Sequence, residues 1–512
     1  MKNKLEQLLA HLQSGLIERS VASRLSLLAA LSGEHLLLLG PPGTAKSELA
    51  RKLHQLFSGA RYFERLLTRF SVPEELFGPL SIKALEEDRY HRLTENYLPS
   101  ASVAFIDEIF KANSAILNAL LTLLNEREFD NGGARVKTPL LCVIAASNEL
   151  PEEEGLDALY DRFLIRYQVS PVSDNGFDDL LKLSLQAEVE PQTQATQLTL
   201  EDIESIQLAA AQIPLDEHAR RLIHGLREYL ARQDIYISDR RWRKAIKILQ
   251  LSALTNQQTA ISQWDCVLLS HVMWQLPEQQ EGLNQWFIEA LNLDIEATIR
   301  RLQKLLQTWE EQLAEDSSRQ IQKTNAQGEY LYKTPEGKIT TRHEQVSLAE
   351  RDGDLLYLAP PGQQERTNQG KGYTLDELEK LFFDKHFKQT HIDGRWVDVQ
   401  NYINNTQNRL VERIEFEPLV EASCFSESYI ENQRQELEKL LADMDQILHD
   451  YNQRLRTLKE VSHSHLWLKD GLLKHACQRI GENIPQLVDF QQRLQVLLGL
   501  NAGLAKPAVP VC

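Results

Sequence analysis

The chain has no apolar run long enough to cross a membrane. A membrane-spanning helix needs roughly 18 apolar residues in succession. All apolar runs here are far shorter, and the segment 36–39 with its flanks predicts a strand. The first seven residues, Met-Lys-Asn-Lys-Leu-Glu-Gln, lack the apolar centre of a signal peptide. No membrane span is therefore predicted.

Cysteine is scarce and scattered. The sequence has no Cys-x-x-Cys pair and no cysteine spacing typical of a metal site. The five cysteines are Cys142, Cys266, Cys424, Cys477 and Cys512. This distribution excludes a disulfide framework and fits a reducing compartment, so a cytoplasmic location is predicted.

Positive charge is also in short supply. The 512 residues include 56 Lys and Arg against 73 Asp and Glu, which gives a formal net charge of −17. This balance disfavours a nucleic-acid partner, because such binding needs a basic surface. With 42% hydrophobic and 25% charged residues the chain is typical of globular proteins. Its length predicts roughly two to four domains.

What is present is a phosphate-binding pattern. Residues 35–47, HLLLLGPPGTAKS, predict a buried strand, a tight loop and the first turn of a helix. Gly40 and Gly43 would let successive N–H groups converge on phosphate oxygens, and the helix would add its positive end. Lys46 would reach the β- and γ-phosphates, and the Ser47 hydroxyl would ligate Mg²⁺. Ala45 departs from the general pattern, which has glycine there.

The whole loop is expected to contact the nucleotide. Its residues are Gly40, Pro41, Pro42, Gly43, Thr44, Ala45, Lys46 and Ser47. A Gly-Pro-Pro-Gly turn without function could mimic half of this pattern, but not the apolar strand before it and the Lys-Ser pair after it.

Two further strands end in residues that would complete the site. Residues 103–109, VAFIDEI, place two acids at the end of an apolar strand. Asp107 would hold Mg²⁺ through its water shell, and Glu108 would polarise the attacking water. Asn148 follows the next apolar strand, where its amide could touch the γ-phosphate and the water. Open α/β sheets bind ligands at the carboxyl ends of their strands, so these side chains are expected to meet there.

Together these motifs resemble the AAA+ ATPase core, with residues 40–47 as Walker A, residues 105–108 as Walker B and Asn148 as sensor 1. Within AAA+ the chain resembles the MoxR family, especially its regulatory ATPase variant A (RavA) group, and Ala45 is similar to what that branch has. The resemblance covers about residues 1–280. The stretches that carry it are LGPPGTAKS at 39–47, TRFSVPEELFGPLS at 68–81, AASNELP at 145–151, ALYDRFLIR at 158–166 and SDRRW at 238–242.

The resemblance implies ATP and Mg²⁺ as cofactors, and it implies roles for arginines that spacing alone would not assign. Arg162 matches the arginine finger that reaches a neighbouring subunit's γ-phosphate, with Arg166 as the alternative. Arg240 matches sensor 2, which couples a helical lid to the nucleotide, with Arg241 as its rival. A finger that acts between subunits implies a homo-oligomer, and the family suggests a hexameric ring.

Apolar patterning divides the chain into four regions. Helices that alternate with short strands predict an α/β core, a parallel sheet covered by helices on both faces, over residues 1–190. An all-α lid is predicted over residues 191–285. Apolar stripes at spacings of three and four predict a discontinuous three-helix arm over residues 286–315 and 426–512. Residues 316–425 predict an inserted β-rich module that binds a partner.

Finer predictions follow from the same patterns. Strands are predicted at 35–39, 62–66, 103–106 and 140–145, and lid helices at 216–232, 239–252 and 263–275. The third arm helix is predicted to begin after Pro485. In the module, a hairpin is predicted over 329–341, and strands at 346–348 and 355–358 are predicted to flank an Asp352-Gly353 turn.

The resemblance implies a motor that remodels other proteins. MoxR-type ATPases act as chaperone-like remodellers beside partners that carry a von Willebrand A domain. The RavA group is also associated with a lysine decarboxylase, although the insertion here departs from the domain expected to bind it. Residues 84–99 resemble a loop near the ring's pore, and an ordinary surface connection explains them equally well. The alternative function is a nucleotide-gated scaffold with slow turnover; a nucleic-acid remodeller is disfavoured by charge.

Overall fold

The computed structural model describes residues 1–151, 156–185, 197–423 and 425–504. These residues belong to two compact units. One consists of Met1–Leu302 and Asp443–Phe490, and the other of Gln303–Ala442 and Gln491–Cys512. Among the described helices, none is both long and apolar enough to span a membrane.

The N-terminal part of the first unit alternates helices and strands. Its helices are α1 (Lys2–Gln13), α2 (Ser20–Ser32), α3 (Lys46–His54), α4 (Pro73–Phe77), α5 (Ile82–Glu86), α6 (Ser114–Glu126), α7 (Asp157–Arg162) and α8 (Asp174–Leu185). Its strands are β1 (Leu36–Leu39), β2 (Tyr62–Leu66), β3 (Val103–Asp107), β4 (Glu128–Asn131), β5 (Ala134–Lys137), β6 (Cys142–Ser147) and β7 (Ile165–Gln168).

Five of these strands form one parallel sheet in the order β2-β3-β6-β1-β7. Every residue of β1 and β6 is buried, as expected for strands covered on both faces. The four predicted strands are confirmed. The fifth, β7, was not predicted, because Arg166 interrupts its apolar character. In the structure Arg166 is fully buried and bonds the carbonyl oxygens of Tyr160 and Phe163 at 3.1 and 3.2 Å.

Residues 84–99 are tied to their surroundings. Arg92 donates through Nη1 to Glu74 Oε1 at 3.0 Å and to the Gly78 carbonyl at 2.8 Å. Its backbone N–H donates to Asn131 Oδ1 in the β4–β5 hairpin at 2.6 Å. The segment therefore packs as one unit with that hairpin, and a place near a ring's pore stays a prediction.

The lid is helical, as predicted. It comprises α9 (Leu200–Ala210), α10 (Glu217–Arg232), α11 (Asp239–Thr255), a 3₁₀ segment at Asp265–His271 and α12 (Gln279–Ala290). Ser238 caps α11 by accepting the Arg241 N–H at 3.2 Å. The predicted α-helix at 263–275 is wrong, because that region forms the 3₁₀ segment instead. Residues 265–270 are all buried, so this segment has no exposed face and no alternation of buried and exposed residues at the 3.6-residue period of an α-helix.

The rest of the chain is the predicted arm with its inserted β-rich module. In chain order its elements are α13 (Ile295–Ser318), β8 (Gln320–Gln322), β9 (Tyr332–Lys333), β10 (Ile339–Thr340), β11 (Glu344–Leu348), β12 (Glu350–Arg351), β13 (Asp354–Leu355), α14 (Leu375–Phe382), β14 (Gln389–Ile392), β15 (Arg395–Asp398), α15 (Val399–Asn404), β16 (Val411–Glu415), β17 (Glu417–Pro418), β18 (Val420–Ala422), α16 (Glu427–Ser464) and α17 (Leu472–Leu504).

The three long arm helices differ from prediction at one point. Helix α17 runs through Pro485 instead of starting after it. Proline removes one backbone hydrogen bond from a helix, but Ile480 and Leu487 on either side are both fully buried and hold the helix in place. The four domain boundaries predicted from sequence stay a prediction.

The module confirms one hairpin and corrects another. Lys333 pairs with Ile339 across the predicted 329–341 turn. The Asp352-Gly353 turn joins the short strands β12 and β13, whereas residues 346–348 pair with β16. The predicted pairing of residues 346–348 across this turn was therefore wrong, because β11 pairs instead with β16, a strand distant in sequence. The module has its own core of Tyr357, Leu378, Phe383, Val399 and Tyr402.

Stability is predicted to fall in mild acid because of one buried histidine. His35 is 1% exposed; its Nδ1 accepts the Val143 N–H at 3.0 Å and its Nε2 lies 3.1 Å from the Leu124 carbonyl oxygen. Burial, and then Arg127, lowers the pKa of His35 well below its usual 6.5. The unfolded chain therefore binds a proton that the folded chain excludes, so the unfolding free energy falls as pH drops below 6.5.

Urea unfolding at several pH values measures this effect. The variant His35→Gln should lose part of the pH dependence, while His386→Gln, at an exposed position, should keep it. Equal slopes for His35→Gln and the unchanged chain would contradict the assignment.

Candidate active site

The sheet brings three strand ends together at one edge. Gly40 follows β1, Asp107 ends β3 and Asn148 follows β6, and these strands are neighbours in the order β3-β6-β1. Leu39 lies opposite Ser147, so Gly40 and Asn148 leave the sheet side by side. Because all three strands are parallel, their carboxyl ends form one surface.

The loop after β1 has a strained backbone. Gly40, Gly43 and Ala45 all have positive φ, at 149°, 77° and 60°. Any side chain at Gly40 would clash, since a Cβ there would lie 2.1 Å from the carbonyl oxygen of Val169. Alternating conformations of this kind turn successive N–H groups to one side and form an anion-binding concavity.

Lys46 is held inside this loop. Its ammonium donates to the carbonyl oxygens of Gly40 and Pro41 at 2.9 and 2.7 Å, and lies 3.2 Å from Thr44 Oγ1. Burial lowers the pKa of Lys46, while the nearby carboxylates of Asp107 and Glu108 act in the opposite direction. The loop thus carries a pre-positioned cation close to both acids.

The two acids differ in their surroundings. Asp107 Oδ1 accepts the Glu108 backbone N–H at 3.0 Å. Glu108 has a left-handed backbone, with φ 53°, and its Oε2 lies 3.2 Å from the Lys111 ammonium. Asn148 is exposed, next to Ser147, whose hydroxyl donates to the Glu149 carbonyl at 2.7 Å.

This donor set fits a nucleotide phosphate with Mg²⁺. The first N–H groups of α3 have no partner within the helix and face the loop's concavity. Ser47 lies in that first turn, and Asp107 supplies a carboxylate. The described residues contain no group of three His, Cys, Asp or Glu that could hold a metal by itself. Mg²⁺ suits such a sparse site, because it keeps several waters and binds through one or two protein oxygens plus phosphates.

Comparison with known proteins identifies the family. The family model "MoxR domain in the MoxR-vWA-beta-propeller ternary systems" matches residues 3–208, and the model "AAA lid domain" matches residues 218–287. The chain belongs to the MoxR family of AAA+ ATPases. The two matches cover the sheet with its helices and most of the lid.

Relatives of this MoxR protein include two from Methanocaldococcus jannaschii, "Uncharacterized protein MJ0079" and "Uncharacterized protein MJ0812". The first is 41% identical over 274 residues, which are 53% of this chain and 70% of the relative. The second is 41% identical over 277 residues, which are 54% of this chain and 72% of the relative. "Chaperone MoxR1" of Mycobacterium tuberculosis is 30% identical over 162 residues, 31% of this chain and 40% of that protein.

Two of the four candidate arginines are buried in this MoxR chain. Arg166 is fully buried, lies 3.6 Å from the Tyr160 ring centre and also donates to the Trp274 carbonyl. Arg241 is 1% exposed and donates to the carbonyl oxygens of Val272 and Leu164 at 2.7 and 2.8 Å. Both arginines join the lid to the β7 region, and because both are buried neither can contact a nucleotide phosphate.

The other two arginines lie at the sheet edge opposite the phosphate loop. Arg162 ends α7, just before β7 begins. Arg240 donates to Asn125 Oδ1 near the end of α6, beside the Leu124 carbonyl that contacts His35 at the start of β1. The four residues of β1 span roughly 13 Å between the two edges. Neither arginine is therefore brought to the phosphate loop of its own chain.

Sequence reasoning missed Arg19. It is buried immediately before α2, and its Nε donates to the Thr44 carbonyl in the phosphate loop at 3.0 Å. The contact spans 25 positions and no motif marks it. Only the packing of α2 against the loop reveals it.

Replacing Gly40 with alanine should weaken nucleotide binding. The added Cβ would displace the loop from the Val169 carbonyl, so the affinity for ADP should drop at least about tenfold. Titration calorimetry measures that affinity. Gly59→Ala is the matched control, because Gly59 also has positive φ, at 68°, but a Cβ there meets nothing within 4 Å. Tight ADP binding by Gly40→Ala would overturn this view of the loop.

Proposed function

We propose that this protein hydrolyses ATP at the interfaces of a homo-oligomeric ring and uses the resulting movement to remodel a partner protein complex. One observation carries the proposal. The phosphate loop, Asp107, Glu108 and Asn148 share one edge of the sheet, while Arg162 and Arg240 lie at the other. With this division, each chain would supply the phosphate loop of one nucleotide site and the arginines of the next.

In the proposed site the loop from Gly40 to Ser47 binds ATP, and Lys46 contacts its β- and γ-phosphates. Ser47 and Asp107 would hold Mg²⁺, which would neutralise phosphate charge when bound. Glu108 accepts a proton from the attacking water and orients it, and Asn148 contacts the water and the γ-phosphate.

Arg162 and Arg240 act, in this proposal, on the nucleotide of a neighbouring chain. A cation that reaches the γ-phosphate stabilises charge in the transition state. Among the residues that the structure describes, no group accepts a hydrogen bond from the Arg162 Nε, so that atom does not anchor the side chain within its own chain. A head-to-tail arrangement that repeats such a contact closes into a ring, and we propose six subunits from the family resemblance.

The proposed partner carries a von Willebrand A domain. The matching family model takes its name from systems that combine MoxR with vWA and β-propeller components, and a relative is named a chaperone. Both support a remodelling role. A lysine decarboxylase as partner stays a prediction, as does docking through residues 316–425.

The variant Glu108→Gln should bind ATP and fail to hydrolyse it. The amide cannot accept a proton, so turnover should fall at least about 100-fold with little change in ATP affinity. Phosphate release and ATP binding measure the two effects. Glu126→Gln is the control, because Glu126 is exposed and forms an ion pair with Arg135 at 2.9 Å.

The same variant separates a motor from a nucleotide-gated scaffold. A motor loses partner remodelling with Glu108→Gln, whereas a scaffold keeps its partner-dependent function. Undiminished hydrolysis by Glu108→Gln would rule out its role as the base.

Mixing two inactive variants should restore activity if Arg162 acts between chains. Arg162→Ala keeps an intact phosphate loop, and Lys46→Ala keeps an intact arginine. In a random equal mixture about a quarter of the interfaces combine both intact parts. Steady-state phosphate release should therefore recover to about that fraction of the unmodified rate. An inactive mixture, from chains shown to co-assemble, would place the arginine's action within its own chain.

A further inference from the structure

Ala45 holds a backbone conformation that alanine disfavours. Its φ and ψ are 60° and 27°, in the left-handed region where a Cβ crowds the following carbonyl. Glycine would adopt this conformation freely. Strain of this kind persists only where neighbouring groups hold it.

Arg19 is placed to hold it. Its Nε donates to the Thr44 carbonyl at 3.0 Å, and Thr44 directly precedes Ala45. Both Arg19 and Thr44 are buried, so water does not compete for this hydrogen bond. A backbone carbonyl bonded to a guanidinium is a charge-assisted pair, stronger than a neutral one.

The base of the Arg19 side chain is itself fixed. The backbone carbonyl oxygen of Arg19 accepts both the N–H and the hydroxyl of Ser23, at 2.9 and 2.8 Å, in the first turn of α2. Its Nη1 donates to the Glu18 carbonyl at 3.0 Å. The guanidinium therefore approaches the loop from a rigid helix start.

The peptide unit links this contact to the phosphate side of the loop. In a planar trans peptide the C=O and the N–H point in opposite directions. Fixing the Thr44 carbonyl outward, toward Arg19, therefore turns the Ala45 N–H inward, toward the concavity. The same restraint fixes where α3 begins, with Lys46 as its first residue.

We infer that Arg19 is a positioning residue for the nucleotide site, which holds the strained Thr44–Ala45 peptide in its phosphate-binding orientation. The inference rests on the proposed function, that this loop binds ATP. Arg19 acts through the loop and not on the reacting atoms. Its loss should weaken nucleotide binding more than it slows the chemical step.

The positive charge of Arg19 adds to its effect. Burial lowers the pKa of Arg19, yet an arginine stays protonated in folded proteins. Arg19 also lowers the pKa of Lys46, after the larger effect of burial. Two cations thus face one loop, a cost that a bound polyphosphate would relieve.

The test compares ADP binding, KM and kcat for ATP in three full-length variants. Arg19→Ala should bind ADP roughly tenfold more weakly and raise KM, with kcat little changed, as expected for one lost charge-assisted bond. Arg19→Lys keeps a donor and should recover part of the loss. Arg51→Ala is the control, because Arg51 lies on α3 but is exposed and pairs with Glu64 at 2.7 Å, away from the loop.

A double variant distinguishes positioning from general packing. Ala45→Gly removes the strain that Arg19 opposes, so it should restore most of the ADP affinity when combined with Arg19→Ala. In the presence of Arg19 the same change should alter affinity by no more than about twofold to threefold. Thermal unfolding of each variant checks that the chain is folded.

Two results would overturn the inference: ADP affinity of Arg19→Ala within about twofold of the unmodified chain, or an equal effect of Ala45→Gly with and without Arg19. If Arg19→Ala does not fold, Arg19→Lys decides the question. Positioning would be contradicted if folded Arg19→Lys had the ADP affinity and KM of the unmodified chain, and if Ala45→Gly changed its ADP affinity by the same factor as in the unmodified chain. Failure of the unmodified chain to bind ADP would instead refute the proposed function.

Discussion

The backbone pairing of β1 with β6 and β7 is the constraint on which the nucleotide site depends. Strand β1 has four residues, all buried, and both its edges are hydrogen-bonded. Pairing continues to its end, where the Gly40 N–H donates to the Ser147 carbonyl at 3.0 Å and the Val169 N–H donates to the Leu39 carbonyl at 2.7 Å. The phosphate loop must therefore begin at one fixed point, against a carbonyl that only glycine can approach.

Buried cations organise the opposite edge of the sheet. Arg166 and Arg241 direct their donors to the carbonyl oxygens of four residues: Tyr160 in α7, Leu164 just before β7, and Val272 and Trp274 just after the lid's 3₁₀ segment. Burying an arginine is costly unless its donors are satisfied, so these bonds fix the lid to the core at that edge. Arg162 and Arg240 lie at the same edge and are only partly buried. One edge of the sheet is thus shaped for phosphate, and the other presents cations.

Much of the core was predictable, because its signals are local. Uninterrupted apolar runs mark β1, β3 and β6, and the glycines of the phosphate loop stand where the backbone has positive φ. Prediction failed where a distant partner decided the outcome. Strand β7 contains a buried arginine, residues 265–270 are buried without a break, and α17 passes through Pro485 because apolar neighbours hold it.

The sequence by itself determined the residue types of the site, the strands that carry them and the family, since spacing along a strand and loop is a local property. Tertiary structure alone decided which arginines are fully buried, because Arg162 ends α7 whereas Arg166 lies in β7, and Arg240 and Arg241 lie on different sides of α11. It also decided that Arg19 supports the phosphate loop, since a hydrogen bond across 25 positions depends on how α2 packs. The sequence alone indicated which chemical groups the site contains, whereas the tertiary structure was needed to show what each side chain contacts.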